Sequence, residues 1–181
     1  MTIAYIVFDL DGTLCDPLAG IASSLNYALT QHGYAAQTNE TLKAFIGPPL
    51  EHIFTTLTPC ECKTELASMI HDYRQHYAEQ GYYATTVYQG VKAALSDLKS
   101  ADIPLAVCTL KQTPVAKDVL KLLGIDEFFD HVWGRSEEPD KTQQLKQVHA
   151  AGLLCEKSLM VGDRASDLVA AKANKMASAG V

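Results

Sequence analysis

The sequence predicts an α/β fold: a doubly wound parallel sheet with a Rossmann-like core, into which a helical domain is inserted. Three observations support this prediction. Short apolar runs alternate with amphipathic helical patterns along 181 residues, as they do in α/β proteins. Most of these runs end in polar or acidic residues, as strands do where open α/β sheets bind ligands. The first two runs lie much further apart than one crossover helix requires, and this interval predicts the insertion.

Five apolar runs are predicted to form the parallel strands. The first, Ile3–Phe8, is continuous and rich in β-branched residues, which suits a strand buried on both faces. The other four runs follow in chain order at residues 105–108, 131–134, 159–162 and 177–181.

Helical patterns fill the intervals between these strands. One apolar stripe with helical spacing extends from Val91 to Leu98. A second helix is predicted to have Thr113 as its N-cap, Pro114 at its first position and Gly124 at its end. A third helix is predicted after Asp140.

Residues 16–85 contain two further apolar stripes with helical spacing. We therefore predict a core formed by residues 1–15 and 86–181, and a helical cap domain formed by residues 16–85. An alternative is that these helices pack against one single core.

Composition and charge exclude several function classes. The chain has 15 Lys plus Arg, 21 Asp plus Glu and a net charge of −6, which argues against nucleic-acid binding. No apolar run approaches the roughly 18–20 residues of a membrane-spanning helix, and the first residues do not resemble a secretory signal. Five scattered cysteines do not suggest a disulfide framework. These features predict a reduced, cytoplasmic protein.

The most informative segment follows the first strand. Asp9 and Asp11 lie two residues apart at the strand's carboxyl end, where open α/β sheets bind ligands. Gly12 permits a sharp turn, and Thr13 offers a hydroxyl and backbone N–H groups to an anion. Alone, this pattern is also compatible with an ordinary turn.

The other predicted strand ends strengthen this interpretation. Thr109 ends the second strand, Lys141 begins the helix after the third, and Asp163 and Asp167 follow the fourth. Four carboxylates in one crevice would repel one another, and a divalent cation together with the lysine would offset this repulsion. Oxygen ligands without His or Cys favour Mg²⁺ over zinc.

The chain resembles the haloacid dehalogenase superfamily in four motifs that occur in the same order and at matching spacing. These motifs are FDLDGT from Phe8, Thr109 in CTLK, Lys141 in PDK, and GDRASD from Gly162. The helical insertion resembles the C1 cap of that family. The segments GPPLEHIF from Gly47 and YQGVKAAL from Tyr88 are similar to the phosphoglycolate-phosphatase-like branch.

This resemblance implies a role for each motif residue. Asp9 is the nucleophile that forms an aspartyl-phosphate, and Asp11 is the general acid and base. Thr109 and Lys141 bind the phosphoryl oxygens with N–H groups near Gly12 and Leu110. An acid at the position of Asp11 is typical of the superfamily's phosphatases, whereas its dehalogenases lack an acid there and its transport ATPases have lysine.

The resemblance also implies a magnesium site. Asp9, the backbone carbonyl of Asp11, and Asp163 are its expected ligands, and Asp167 is an outer ligand or an anchor for Lys141.

Four further residues are weaker candidates for substrate binding: Thr13, Leu110, Lys111 and Gly47. Leu110 occupies a position where the family often has serine. Gly47 precedes two prolines and predicts either a helix N-terminus facing the substrate or a break between two cap helices.

The combined interpretation is a Mg²⁺-dependent phosphatase of small phosphomonoesters, of the phosphoglycolate or nucleoside monophosphate type. Residues 16–85 contain seven acids and three bases, a balance that disfavours polyanionic substrates. The alternatives are a sugar-phosphate mutase of the same superfamily and a non-catalytic phospholigand-binding protein. Members of this branch usually continue beyond the position of Val181, so we expect reduced stability or self-association, including a possible homodimer.

Overall fold

The computed structural model describes residues 3–135 and 140–181. The chain divides into two compact units, one formed by Met1–Cys15 together with Val87–Val181 and the other by Asp16–Thr86. In chain order the strands and helices are β1 (Tyr5–Phe8), β2 (Cys15–Asp16), α1 (Leu18–Gln31), α2 (Asn39–Lys43), α3 (Leu50–Leu57), α4 (Lys63–Glu79), β3 (Thr86–Val87), α5 (Val91–Ser100), β4 (Leu105–Gln112), α6 (Thr113–Leu123), β5 (His131–Arg135), α7 (Lys141–Ala150), β6 (Ser158–Gly162), α8 (Ala165–Ala173) and β7 (Ala177–Gly180).

Five strands form one parallel sheet in the order β5-β4-β1-β6-β7. This arrangement confirms the predicted fold class. The central strand β1 pairs with β4 on one side and with β6 on the other, so that Phe8 lies opposite both Val107 and Val161. The carboxyl ends of these three strands therefore meet at one edge of the sheet, which is where the candidate site forms.

The central strands β1, β4 and β6 are largely buried because helices pack apolar side chains against them. Val7 of β1, Cys108 of β4 and Met160 of β6 are fully buried in one cluster with Leu145 of α7 and Ala170 of α8. Removing each larger apolar side chain from water contributes about 1.5–3 kcal/mol to stability. This cluster packs α7 and α8 against the central strands of the sheet.

Two local predictions differ from the structure. Strand β4 continues to Gln112, so α6 begins at Thr113 with Gln112 as its N-cap. The prediction of Thr113 as N-cap was therefore wrong by one residue, whereas Gly124 ends the helix in a left-handed conformation, as expected. Apolar spacing did not predict α8, whose buried stripe is short and consists largely of alanine.

The Asp16–Thr86 unit is helical and contains α1–α4. Helices α1 and α4 pack together through fully buried Leu25, Leu29 and Met69. The ring of His32 lies 3.0 Å from the Asp72 carboxylate. Among the residues described here, no helix is both long and apolar enough to cross a membrane. All five cysteines are free.

Candidate active site

Asp9 lies at the centre of the site, directly after β1. Its backbone N–H continues the sheet by donating to the carbonyl of Val161, and the residue is 6% exposed. The carboxylate oxygen Oδ1 accepts from the backbone N–H of Leu10 at 2.8 Å and from Lys141 Nζ at 3.0 Å. These two donors fix the orientation of the carboxylate.

Burial raises the pKa of Asp9 from 3.8 to about 6, against the opposing effect of Lys141 and with a further increase from Asp167. The charged form of Asp9 is therefore costly in the folded protein without a further cation.

Lys141 is the first residue of α7 and is 4% exposed. Asp140 is the N-cap of this helix, and its side chain accepts from the Gln143 N–H at 3.0 Å. The Lys141 ammonium contacts both the Asp9 and the Asp167 carboxylates. Burial alone would lower the pKa of Lys141, but these two carboxylates outweigh burial and raise it. Lys141 is therefore a buried, charged ammonium.

The carboxylates of Asp9, Asp163 and Asp167 form a cluster. One oxygen from each lies within 4.8 Å of the other two. Asp167 is fully buried on α8 and also accepts from the Arg164 N–H at 3.1 Å, whereas Asp163 is exposed. Three carboxylates facing one ammonium leave excess negative charge, and the donors are all oxygen. This donor set fits a hard divalent cation.

Gly12 and Thr13 both contact Asp163. Gly12 has φ +86°, and a Cβ there would collide with the Asp163 carboxylate. The Thr13 hydroxyl donates to Asp163 Oδ1 at 3.2 Å. Both residues therefore constrain the position of the Asp163 carboxylate. The binding of a substrate anion by Thr13 stays a prediction.

Asp11 lies outside the three-carboxylate cluster, although its charge contributes to the raised pKa of Asp9. Its Oδ2 instead lies 3.0 Å from Lys111 Nζ. Its Oδ1 lies 3.9 Å from the thiol of buried Cys15. The sequence did not indicate the ion pair with Lys111, because it joins the ends of two different strands.

Thr109 and Leu110 lie near the end of β4. Thr109 is 2% exposed, and its hydroxyl accepts from the Lys111 N–H at 3.2 Å. Leu110 is 39% exposed, and because its side chain has no polar group, only its backbone can donate to a ligand. Gly47 belongs to the Asp16–Thr86 unit, where it precedes α3 with φ +101°. Its substrate-binding role stays a prediction.

Gln144 is a further buried residue beside the site that sequence reasoning missed. It lies three residues after Lys141 on α7 and is 6% exposed. Its side-chain amide donates to the carbonyls of Trp133 and Gly134, each at 2.8 Å, and to that of Thr109 at 3.4 Å. Only the spacing from Lys141 could have indicated it, because positions i and i+3 share a helix face.

Comparison with known proteins yields several relatives. The chain is 32% identical over 173 residues to tyrosine-protein kinase PtkA of Mycobacterium tuberculosis, a match covering 93% of this chain but only 58% of that protein. It is 31% identical over 180 residues to a 5'-nucleotidase of Pseudomonas aeruginosa, covering 97% of this chain and 81% of that protein. It is 32% identical over 185 residues to a phosphoglycolate phosphatase of Neisseria meningitidis, covering 97% of this chain and 79% of that protein.

A solved structure and a family model agree with these relatives. A haloacid dehalogenase-like family hydrolase from Streptococcus pneumoniae superposes with a TM-score of 0.89 at 32% identity, covering 98% of this chain and 84% of that one. A family model for haloacid dehalogenase-like hydrolases matches residues 6–181. The chain therefore belongs to the haloacid dehalogenase-like hydrolases.

Proposed function

We propose that the protein is a Mg²⁺-dependent phosphatase that hydrolyses small phosphomonoesters through an aspartyl-phosphate. The observation that supports this most strongly is the contact of one buried lysine, Lys141, with the carboxylates of Asp9 and Asp167 at the carboxyl end of the central strand. A buried, oriented carboxylate beside a fixed cation is suited to attack on an anionic phosphoryl group.

In the first step, a carboxylate oxygen of Asp9 forms a bond to phosphorus while the bond from phosphorus to the leaving oxygen breaks. Asp11, two residues on, gives its proton to that oxygen. Lys141 and the Thr109 hydroxyl bind the non-bridging phosphoryl oxygens as charge redistributes among them. In the second step, Asp11 takes a proton from water while the water oxygen attacks phosphorus, which releases inorganic phosphate and restores Asp9.

Asp9, Asp163 and the backbone carbonyl of Asp11 would hold Mg²⁺, with Asp167 binding Lys141 as an anchor. When bound, the ion supplies positive charge that offsets the carboxylates and the phosphoryl group. Thr13 and Gly12 contribute by keeping Asp163 in place, since both pack directly against its carboxylate.

The proposed substrates are small phosphomonoesters such as phosphoglycolate or a nucleoside monophosphate. Relatives named as a phosphoglycolate phosphatase and a 5'-nucleotidase support this class. The acidic balance of residues 16–85 also supports substrates with a single phosphate. We further propose that the Asp16–Thr86 unit acts as a cap domain, with Gly47 in a segment that contributes to substrate choice.

A screen over many phosphometabolites, with and without Mg²⁺, tests this function. We expect release of inorganic phosphate from a small group of monoesters, loss of turnover in chelator and recovery when Mg²⁺ is added. Full turnover by metal-free protein in chelator would contradict the proposed site. Analysis of the products separates the alternatives, since a mutase gives an isomerised sugar phosphate and a binding protein gives no product.

Because a relative is named as the tyrosine-protein kinase PtkA, the screen also tests for phosphoryl transfer to tyrosine. Phosphoryl transfer to a tyrosine hydroxyl would leave phosphate on a protein or peptide, whereas hydrolysis transfers it to water. We expect hydrolysis, and labelled phosphate that appears on tyrosine instead would overturn it.

A further inference from the structure

The pairing of β4 with β5 is interrupted near the site, and one side chain from α7 bonds to both strands there. The two strands pair regularly up to Cys108 and Trp133, and the pairing resumes only at Gln112 and Arg135. Three residues of β4 therefore face a single residue of β5, Gly134. Such an irregularity re-aims side chains near the end of a strand.

Gln144 spans this irregularity with its side-chain amide. Nε2 donates to carbonyls on both strands: those of Trp133 and Gly134 on β5 at 2.8 Å each, and that of Thr109 on β4 at 3.4 Å. The amide oxygen of Gln144 is buried and has no partner among residues 3–135 and 140–181. The residue therefore acts here as a donor.

Gly134 packs against the junction of β4 and α6. A Cβ on Gly134 would collide with the Thr113 backbone and lie 2.7 Å from the Lys111 carbonyl. The Lys111 N–H in turn donates to the Thr109 hydroxyl at 3.2 Å. The backbone that Gln144 holds is therefore the backbone that positions the Thr109 hydroxyl.

We infer that Gln144 is a positioning residue, which fixes the Thr109 hydroxyl for binding of a phosphoryl group. This inference rests on the proposed function and deepens it. Helix α7 then contributes to phosphate binding twice, through Lys141 directly and through Gln144 by way of the β4 end.

The test measures binding of inorganic phosphate by calorimetry in the presence of Mg²⁺, together with KM and kcat for the best monoester. Gln144→Met removes the donors at similar side-chain length. Gln143→Met makes the same change at an exposed position of the same helix and serves as the matched control. We expect Gln144→Met to weaken phosphate binding about tenfold, the scale typical of an outer-shell partner, and to raise KM more than it lowers kcat.

A double-mutant cycle separates positioning from general packing. If Gln144 acts through Thr109, Gln144→Met should change phosphate binding less than about twofold in a Thr109→Val background. A repeated tenfold loss in that background would overturn the inference. So would a lowered melting temperature with unchanged phosphate affinity. If Gln144→Met does not fold, Gln144→Asn, which keeps the amide but withdraws it by one methylene, is judged by the same criteria.

The binding assay keeps the two proposals distinguishable. A wild-type protein that binds phosphate but hydrolyses no monoester overturns the proposed function alone, and the phosphate affinities still decide the role of Gln144. A wild-type protein that binds no phosphate overturns both.

Discussion

Replacing Asp9 by asparagine should stabilise the metal-free protein while removing its proposed nucleophile. The folded-state pKa of Asp9 is raised from 3.8 to about 6. This rise in the pKa corresponds to about 3 kcal/mol of folding free energy. Because the pKa of Asp9 is higher in the folded state than in the unfolded state, the folded protein holds the proton more tightly. The stability gained from protonated Asp9 is complete below about pH 4 and is lost as the pH rises through about 6. At pH 7 the wild-type protein therefore bears the full cost of a buried charge.

Asp9→Asn removes that cost but keeps an oxygen that accepts from Leu10 and Lys141. We expect the variant to be about 1–3 kcal/mol more stable than wild type in chelator at pH 7, with the difference reduced by about half at pH 5. Urea denaturation at both pH values measures this difference. Asp97→Asn, at an exposed position, is the matched control and should change little. An Asp9→Asn variant that is less stable than wild type at pH 7 would refute the reasoning.

Three further predictions concern the residues around Asp9. Gly12→Ala should weaken Mg²⁺ binding at least tenfold by displacing Asp163. Gly152→Ala is the control, because Gly152 has a similar φ but open space around its Cβ, and it should leave Mg²⁺ affinity unchanged. Equal Mg²⁺ affinities of Gly12→Ala and wild type in calorimetry would contradict this prediction. Asp11→Asn should slow phosphoenzyme formation by about 10²–10⁴-fold for alkyl phosphates and much less for aryl phosphates, and equal slowing in rapid-quench assays would exclude Asp11 as the acid. Lys141→Met should lower the free energy of unfolding by about 3–5 kcal/mol by leaving two buried carboxylates unpaired, and an unchanged urea midpoint would show that the ion pairs are not stabilising.

The parallel sheet was predictable because each strand is a compact apolar run bounded by turn residues. The run at Leu105–Cys108 predicted most of the buried part of β4. Its extension to Gln112 includes polar residues, and it ends where Gln112 pairs with Arg135 of β5. Helix α8 was missed for a related reason, since its buried face consists largely of alanine and gives little apolar contrast.

The placement of Asp9 and Asp163 followed from the strand ends, since parallel strands deliver their last residues to one edge, and that of Lys141 followed from its position at the start of the helix after β5. Individual side-chain contacts between these elements were not predictable in the same way. The ion pair of Asp11 with Lys111 and the bonds of Gln144 link residues far apart in the sequence, and no local pattern specifies them. These contacts depend on the geometry of the β4 end, which the structure supplies.

The formation of an aspartyl-phosphate on Asp9 is the central claim, and trapping it is the most direct test. Protein mixed with Mg²⁺ and its best monoester is quenched in acid within one turnover and digested, and the peptides are analysed by mass spectrometry. The account predicts one phosphoryl group on the peptide containing Asp9, sensitive to hydroxylamine and absent from Asp9→Asn. Phosphate on another residue, or a phosphoenzyme that persists in Asp9→Asn, would contradict it.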